Sequence, residues 1–441
     1  MKPFWIEPAS SIKGEIILPS DKSISHRAVF ISSIAKNKTK VENFSLSKDC
    51  LYTLQAFKKL KVKIVRNKNT LTIYGKGLKG LKKPEGSLFL GDSGTTIRLL
   101  CGVLVGQNFS TTLKAGPSLS QRPMRRVLEP LRMMGADIDS LNKKENEEYP
   151  PLLIKPVRKL KSIDYTLPVA SAQVKSAILL AGLFADGITT VREPIKTRDH
   201  TERLLYQCGV DIQIKKEKIS VRGSKVLKTA GYIFIPGDFS SASFFIAATI
   251  LLRDSSLLIK DVGLNPTRLG LIEVLKRMGA NIELNYKIPD KDFHEPWGDI
   301  FVRSSALKGV RITKDEIPLL IDELPILMVI SCFAEGKTII ESVEELRVKE
   351  TDRINSMVEG LSSMGAKISV EKKDHREDLV IESVGYLKPA KLKTFGDHRT
   401  AMSLVIAGLL AKGKSLIDDI SCVDKSFPNF LNILKKVVRS Q

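Results

Sequence analysis

The chain is poor in the groups on which several function classes depend. Only 6% of its 441 residues are aromatic, and no basic run alternates with Phe, Tyr or Trp. The stacking platform of a single-strand nucleic-acid binder is therefore missing from the pattern. Five cysteines, Cys50, Cys101, Cys208, Cys332 and Cys422, lie far apart and mostly among apolar neighbours. No Cys-x-x-Cys or Cys/His ligand spacing occurs, which argues against a zinc module and leaves reduced, buried thiols as the expectation. Long apolar runs are absent too: "FFIAATILL" (244–252) falls well short of a bilayer span. The opening "MKPFWIEPASSIKG" carries no apolar leader. No P-loop or dinucleotide fingerprint is visible. A cytoplasmic protein that engages neither membrane nor nucleic acid is expected.

Negative charge is also in short supply. Forty-nine acidic residues face 70 basic ones, a formal net charge of +21. That excess favours anionic partners, small phosphorylated substrates among them. The 43% hydrophobic content is that of a globular protein, and the length exceeds one ordinary core, so two or more domains are expected.

What the chain does have is a repeat. Six segments begin near Asp21, Asp92, Ser171, Phe239, Asp322 and Asp397, at spacings of 71, 79, 68, 83 and 75 residues. Each places polar residues before an apolar helix, followed by a break and a strand. A second, amphipathic helix follows in most copies and ends alike, as "FKKLKVKI", "LRMMGADI", "LYQCGVDI", "LKRMGANI" and "LSSMGAKI". In "PMRRVLEPLRMMG" the apolar Met124, Val127, Leu128, Leu131 and Met134 recur at helical spacing, and the glycine caps the helix before a strand. The first helices are apolar all round, which predicts burial. Their polar entrances should emerge together, and helix N-termini with free N–H groups make an anion-binding surface.

The entrances are rich in cations. "LPSDKSISHRA" (18–28) has Ser20 or Asp21 as cap, Lys22 in the first turn, and Ser23 and Arg27 four apart on one face. A first-turn cation opposes the helix dipole, a cost that an anionic ligand would explain. "LFLGDSGTTIRLL" reads as strand, glycine turn and helix, with Gly91 and Gly94 permitting close backbone approach. Arg122 stands before a proline at another helix start. Ser171 and Gln173 open a further helix, and Arg198, Asp199 and His200 lie in "TRDHTERLL". Asp322 sits between apolar runs as a cap or a general base. In "RVKETDR" Lys349 and Arg353 are four apart, as helix neighbours would be, with Glu350 beside Lys349. Arg399 and Lys425 complete a dense cation set with few carboxylates. That composition suits polyanionic small molecules, with cations binding phosphate and carboxylate groups and the carboxylates handling protons.

"LPSDKSISHRA", "GDSGTTIRL", "QRPM", "SAQVKSA", "TRDHTE", "GDFSSASFF", "IDELPIL", "RVKETDR" and "GDHRTAM", in this order over nearly the whole chain, resemble the 5-enolpyruvylshikimate-3-phosphate synthase family. The resemblance implies an α/β, two-domain enolpyruvyl transferase fold. Residues 20–236 would form one domain, and residues 1–19 with 237–441 the other. Each would hold three βαβαββ-type units with buried parallel helices and sheets outside, with a cleft between the domains. It implies transfer of an enolpyruvyl group from phosphoenolpyruvate to the 5-hydroxyl of shikimate 3-phosphate, through a tetrahedral intermediate, by a monomer with no cofactor and no metal. By the same resemblance Lys22, Asp322 and Glu350 would be catalytic, Asp322 as base and Glu350 as the acid toward the methylene carbon. Lys22, Ser23, Arg27, Ser171, the backbone of Ala172, Gln173, Arg198, Asp322 and Lys349 would meet shikimate 3-phosphate. Lys22, Gly94, Arg122, Gln173, Arg353, Arg399 and Lys425 would meet phosphoenolpyruvate. An acid in that role needs a raised pKa, which burial would give.

One residue departs from the family pattern: Asp92 stands where the family usually has asparagine, and a carboxylate facing phosphoenolpyruvate would repel it unless turned away or protonated. The sister family that uses UDP-N-acetylglucosamine carries an asparagine after its first lysine and a cysteine before its Arg-Pro pair. Here Ser23 follows Lys22, and "TTLKAGPSLSQRPM" has no cysteine.

Overall fold

Short polar side chains set where the six apolar helices start. The computed structural model describes residues 3–223, 226–291, 293–373 and 376–440. Its six leading helices are α1 (Lys22–Ile34), α2 (Gly94–Leu104), α3 (Ala172–Gly182), α4 (Phe239–Leu251), α5 (Leu324–Ser331) and α6 (His398–Leu409). Asp21, Ser93, Ser171, Asp238 and Asp397 each accept from a backbone N–H two or three residues on, which satisfies donors the helix itself cannot. α5 follows Glu323 without a side-chain cap, and Pro325 sits in its first turn, where a missing N–H costs nothing. Every residue of α5 and α6 is buried, as is α1 from Ile24 onward.

Helices without a wet face must be sheathed, and the sheets do this. One repeat shows the plan. Strand Leu88–Phe89 leads through α2 to Thr111–Lys114, which pairs with it in parallel. The helix Arg125–Met133 then leads to the hairpin Asp137–Lys144 and Glu147–Lys155, whose second strand pairs antiparallel with Thr111–Lys114. Along Glu147–Lys155 buried and partly exposed residues alternate, the mark of a sheet with one wet face. The same parallel-then-antiparallel order recurs around Ile188–Arg192 and Lys337–Ile340.

Two compact units result. One holds the described part of Ser20–Ile235 with Asp292–His294; the other holds those of Met1–Pro19, Pro236–Lys291 and Glu295–Gln441. Each has its own apolar core, built on Phe30, Phe57, Leu99 and Leu179 in one and on Phe244, Phe245, Leu327 and Val405 in the other. Two strands are exchanged relative to the repeat. Ala9–Ile17 precedes α1 but pairs in parallel with Ser256–Gly263, and Tyr232–Phe234 precedes α4 but pairs in parallel with Lys36–Glu42. All five cysteines are free and buried, and burial pushes the thiols of Cys50, Cys101 and Cys332 up to about 12. Among the described residues no helix is long and apolar enough to cross a membrane.

The second helices end on a left-handed residue, as the shared endings predict. Gly135, Gly209, Gly279 and Gly365 have φ of +85°, +71°, +100° and +85°, and Lys61 takes the same place at +64°. At Gly365 a Cβ would meet only the flexible chain of Lys388 at 3.7 Å, so a side chain there is opposed by backbone conformation, not by crowding. Gly365→Ala should lower stability by about 1 kcal/mol, read by denaturant unfolding.

Candidate functional site

In the unit that carries α4 to α6, the site is organised by one buried cation. Asp352 caps the helix Arg353–Ser363 by accepting from Asn355 N at 3.0 Å, which places Arg353 at its first position. Arg353 is 1% exposed. Its Nε donates to Asp397 Oδ2 at 2.9 Å and its Nη2 to Glu350 Oε2 at 2.5 Å, while Nη1 stands 3.5 Å from Asp322 Oδ1. Three carboxylates from three separate segments thus share one guanidinium. Arg399 adds a second cation: Nη1 donates to the Asp322 carbonyl at 2.9 Å, and Nη2 lies 3.4 Å from Asp322 Oδ2. Lys425 donates to the Gly396 carbonyl at 3.2 Å, beside the start of α6.

Three sequence expectations change here. Lys349 and Arg353 are not neighbours on one helix, because Lys349 follows the short 3-10 turn Glu344–Val348 in extended conformation and the helix begins only after Asp352. Lys349 pairs instead with Glu345 at 3.0 Å. Burial pulls its ammonium below the usual lysine range, with Glu345 and Asp322 opposing. Asp322 is not the cap of α5 either; Glu323 holds that position, and Asp322 lies in the preceding turn. The burial expected of Glu350 is partial, with 24% of its side chain exposed.

In the other unit the entrances of α1, α2 and α3 converge. Lys22 opens α1 and pairs with Asp49 at 3.1 Å. Arg27 is buried one turn on. Its Nε donates to Thr201 Oγ1 at 2.7 Å, Nη2 to Ser176 Oγ at 2.9 Å and Nη1 to the Ser23 carbonyl at 3.0 Å, so Ser23 and Arg27 do share a face. Ser171 caps α3; Ala172 and Gln173 are its first residues. Gln173 accepts from Arg98 Nη1 at 2.7 Å and donates to Thr95 at 2.9 Å, which ties α3 to α2. Gly94 is the first residue of α2, and a Cβ there would stand 2.8 Å from Arg98 Nη1 and 2.9 Å from Arg122 Nη1. Its smallness is what admits both guanidinium groups. Arg122 closes a 3-10 turn and does not begin a helix, which starts at Arg125. Arg198 is half-buried just ahead of the helix His200–Gln207. One oxygen of Asp92 is engaged by the backbone: Oδ1 accepts from Leu119 N at 3.0 Å. His26, whose ring meets Thr53 at 2.7 Å, is buried in the helix packing.

Sequence reading missed Arg98, Asp49 and the role of Asp397 as a partner of Arg353. Arg98 had a signal, since it is the one charged residue of α2 and lies four residues after Gly94, on the same face.

The whole chain has counterparts. Residues 6–434 match the family model described as EPSP synthase (3-phosphoshikimate 1-carboxyvinyltransferase). The chain belongs to the EPSP synthase family. It is 48% identical to the 3-phosphoshikimate 1-carboxyvinyltransferase of Thermodesulfovibrio yellowstonii over 98% of both chains, and 45% identical to that of Geobacter sp. strain M21 over 100% of both. Among solved structures, EPSP synthase from Acinetobacter baumannii matches with a TM-score of 0.86 at 40% identity, over 100% of this chain and 99% of that one. The enolpyruvyl transferase NikO from Streptomyces tendae, at 17% identity and a TM-score of 0.78, shares the fold. The α/β enolpyruvyl transferase fold expected from the motifs is thus the fold of this chain.

The Arg353 cluster has a pH signature. Burial raises the Asp397 carboxyl, but Arg353 and His398 outweigh it and hold the group below the ordinary aspartate range. A depressed carboxyl contributes stability above its unfolded pKa, about 3.9, and loses it as pH falls through the lower folded value. Asp397→Asn should cost about 3 kcal/mol near neutrality. The gap to the wild type should close below about pH 4, as followed by denaturant unfolding at a series of pH values.

Proposed function

We propose that the chain transfers the enolpyruvyl group of phosphoenolpyruvate to the 5-hydroxyl of shikimate 3-phosphate and releases phosphate. The observation that carries this reading is the contact of Arg353 with both Glu350 and Asp322, the two carboxylates to which proton transfer is assigned. Family membership supports it across the full length of the chain.

The chemistry follows from these residues. Asp322 takes the proton of the 5-hydroxyl as its oxygen bonds to the enol carbon of phosphoenolpyruvate. Glu350 gives a proton to the methylene carbon, which becomes a methyl group in a tetrahedral adduct. Return of a methyl proton to Glu350 and departure of phosphate restore the double bond. Addition requires Glu350 to carry a proton, and Arg353 favours its charged form. A substrate carboxylate that takes Nη2 of Arg353 would displace Glu350, and a carboxyl without its cation holds a proton more readily. Bidentate arginine suits that carboxylate, and by the family resemblance Arg353, Arg399 and Arg122, with Lys22, Gly94, Gln173 and Lys425, are assigned to phosphoenolpyruvate.

Shikimate 3-phosphate is assigned to Lys22, Ser23, Arg27, Ser171, Ala172, Gln173, Arg198, Asp322 and Lys349. The start of α3 supplies N–H groups and the positive end of an 11-residue helix, and Arg198 supplies charge. Bringing two anions together needs such fixed cations, which hold the reacting atoms close at little reorganisation cost.

Purified protein should release phosphate from phosphoenolpyruvate only when shikimate 3-phosphate is present. Turnover of UDP-N-acetylglucosamine in its place would overturn the reading. Glu350→Gln should slow the chemical step by at least about 10² in single-turnover measurements, the scale of acid–base catalysis. Near-normal turnover would remove Glu350 as the proton donor.

A further inference from the structure

Within α3, one turn past the proposed phosphate-binding residues, a lysine is buried as the one charged residue of the helix. Lys175 is 0% exposed. Its Nζ lies 2.8 Å from Glu193 Oε2 and 2.7 Å from Glu202 Oε1, and it approaches the Thr197 carbonyl at 3.4 Å. The same Glu193 oxygen accepts from Thr197 N at 3.1 Å and from Thr197 Oγ1 at 2.7 Å. Thr197 immediately precedes Arg198.

Four residues on, the segment is held again. Thr201 Oγ1 accepts from Arg27 Nε at 2.7 Å and meets Ser176 Oγ at 2.7 Å, and Ser176 donates to the Ala172 carbonyl at 2.6 Å. The stretch 197–201 is therefore pinned at both ends to α3, by a buried ion cluster at Thr197 and by a hydroxyl pair at Thr201. A buried lysine with two carboxylates is an expensive way to stabilise a core, since apolar residues of like volume usually serve as well or better. It is an effective way to fix geometry, because a buried ion pair tolerates little displacement.

We infer that Lys175, Glu193 and Thr197 form a buried clamp that positions Arg198 against the start of α3 for the phosphate of shikimate 3-phosphate. None of the three touches substrate; they are positioning residues, and the inference rests on the reading of Arg198 given above. The clamp sets the spacing between the guanidinium and the Ser171–Gln173 N–H groups, and so the match to a phosphate that both must reach.

Thr197→Val keeps the shape and removes the hydroxyl bond to Glu193. Its KM for shikimate 3-phosphate should rise about tenfold or more, with KM for phosphoenolpyruvate and the melting temperature changed little. Thr197→Ser restores the hydroxyl and should restore KM. Lys175→Met, which leaves two carboxylates facing each other, should lower the melting temperature as well, so the threonine pair carries the decision. Arg198→Ala runs beside them. If it raises KM for shikimate 3-phosphate while Thr197→Val does not, or if Thr197→Val raises both KM values alike, the clamp is overturned alone. If Arg198→Ala leaves that KM unchanged, the assignment of Arg198 falls and the clamp with it.

Discussion

The pairing of one buried guanidinium with three carboxylates fixes the geometry on which the proposed chemistry depends. Asp322, Glu350 and Asp397 come from the turn before α5, the turn before the helix Arg353–Ser363 and the cap of α6. Without a cation among them the three would repel, and the segments that carry them would separate. With Arg353 in place the repulsion becomes attraction, and a cation sealed from water holds its partners more firmly than one on the surface. Asp397 serves two ends at once. Its Oδ1 accepts from Arg399 N at 2.7 Å and Thr400 N at 3.2 Å, and its Oδ2 takes Arg353. The carboxylate that starts α6 is the one that aims Arg353, so helix capping and site assembly are a single event.

The unit of α1 to α3 reaches convergence by other means. Arg27 is oriented by Thr201, Ser176 and the Ser23 carbonyl, and Arg98 by Gln173 and the Pro123 carbonyl at 3.2 Å. These acceptors are neutral oxygens, and each hydrogen bond fixes the plane of a guanidinium. Gln173 joins the network through both ends of its amide, which leaves its orientation little freedom. The contrast is chemical. The carboxylates proposed to move protons are grouped around Arg353 and Arg399, and the groups suited to hold phosphate are grouped at the start of α3.

The repeat was legible because its physics is local. An Asp or Ser before an apolar run is a cap, and a glycine after Leu-x-x-Met is a left-handed C-terminus, so helix starts and ends could be read without knowing the fold. Even Lys61, the copy without glycine, keeps the left-handed turn. Non-local pairings were not legible. The partners of Lys175 lie 18 and 27 residues away, and nothing in "SAQVKSAILLAG" announces them. The spacing of Lys349 and Arg353 misled for a local reason: four residues predicts a shared helix face only if a helix runs through them, and Asp352 caps a new helix at Arg353. The aspartate in "TDR" was the available signal. Roles for individual side chains came from family resemblance and not from spacing.

Position 92 shows how a departure from a family pattern can be sorted into parts. The Oδ1 of Asp92 holds the loop through Leu119 N, and a Cβ on Gly116 would stand 2.6 Å from it, so that loop is built around an oxygen at this place. An asparagine offers the same acceptor through its amide oxygen. The loop therefore has no reason to differ between the two residues. What differs is the second atom, a carboxylate oxygen here and an amide N–H₂ in asparagine, an acceptor exchanged for a donor. Any effect of Asp92 on an anionic substrate must act through the charge of that group and not through the course of the chain around it.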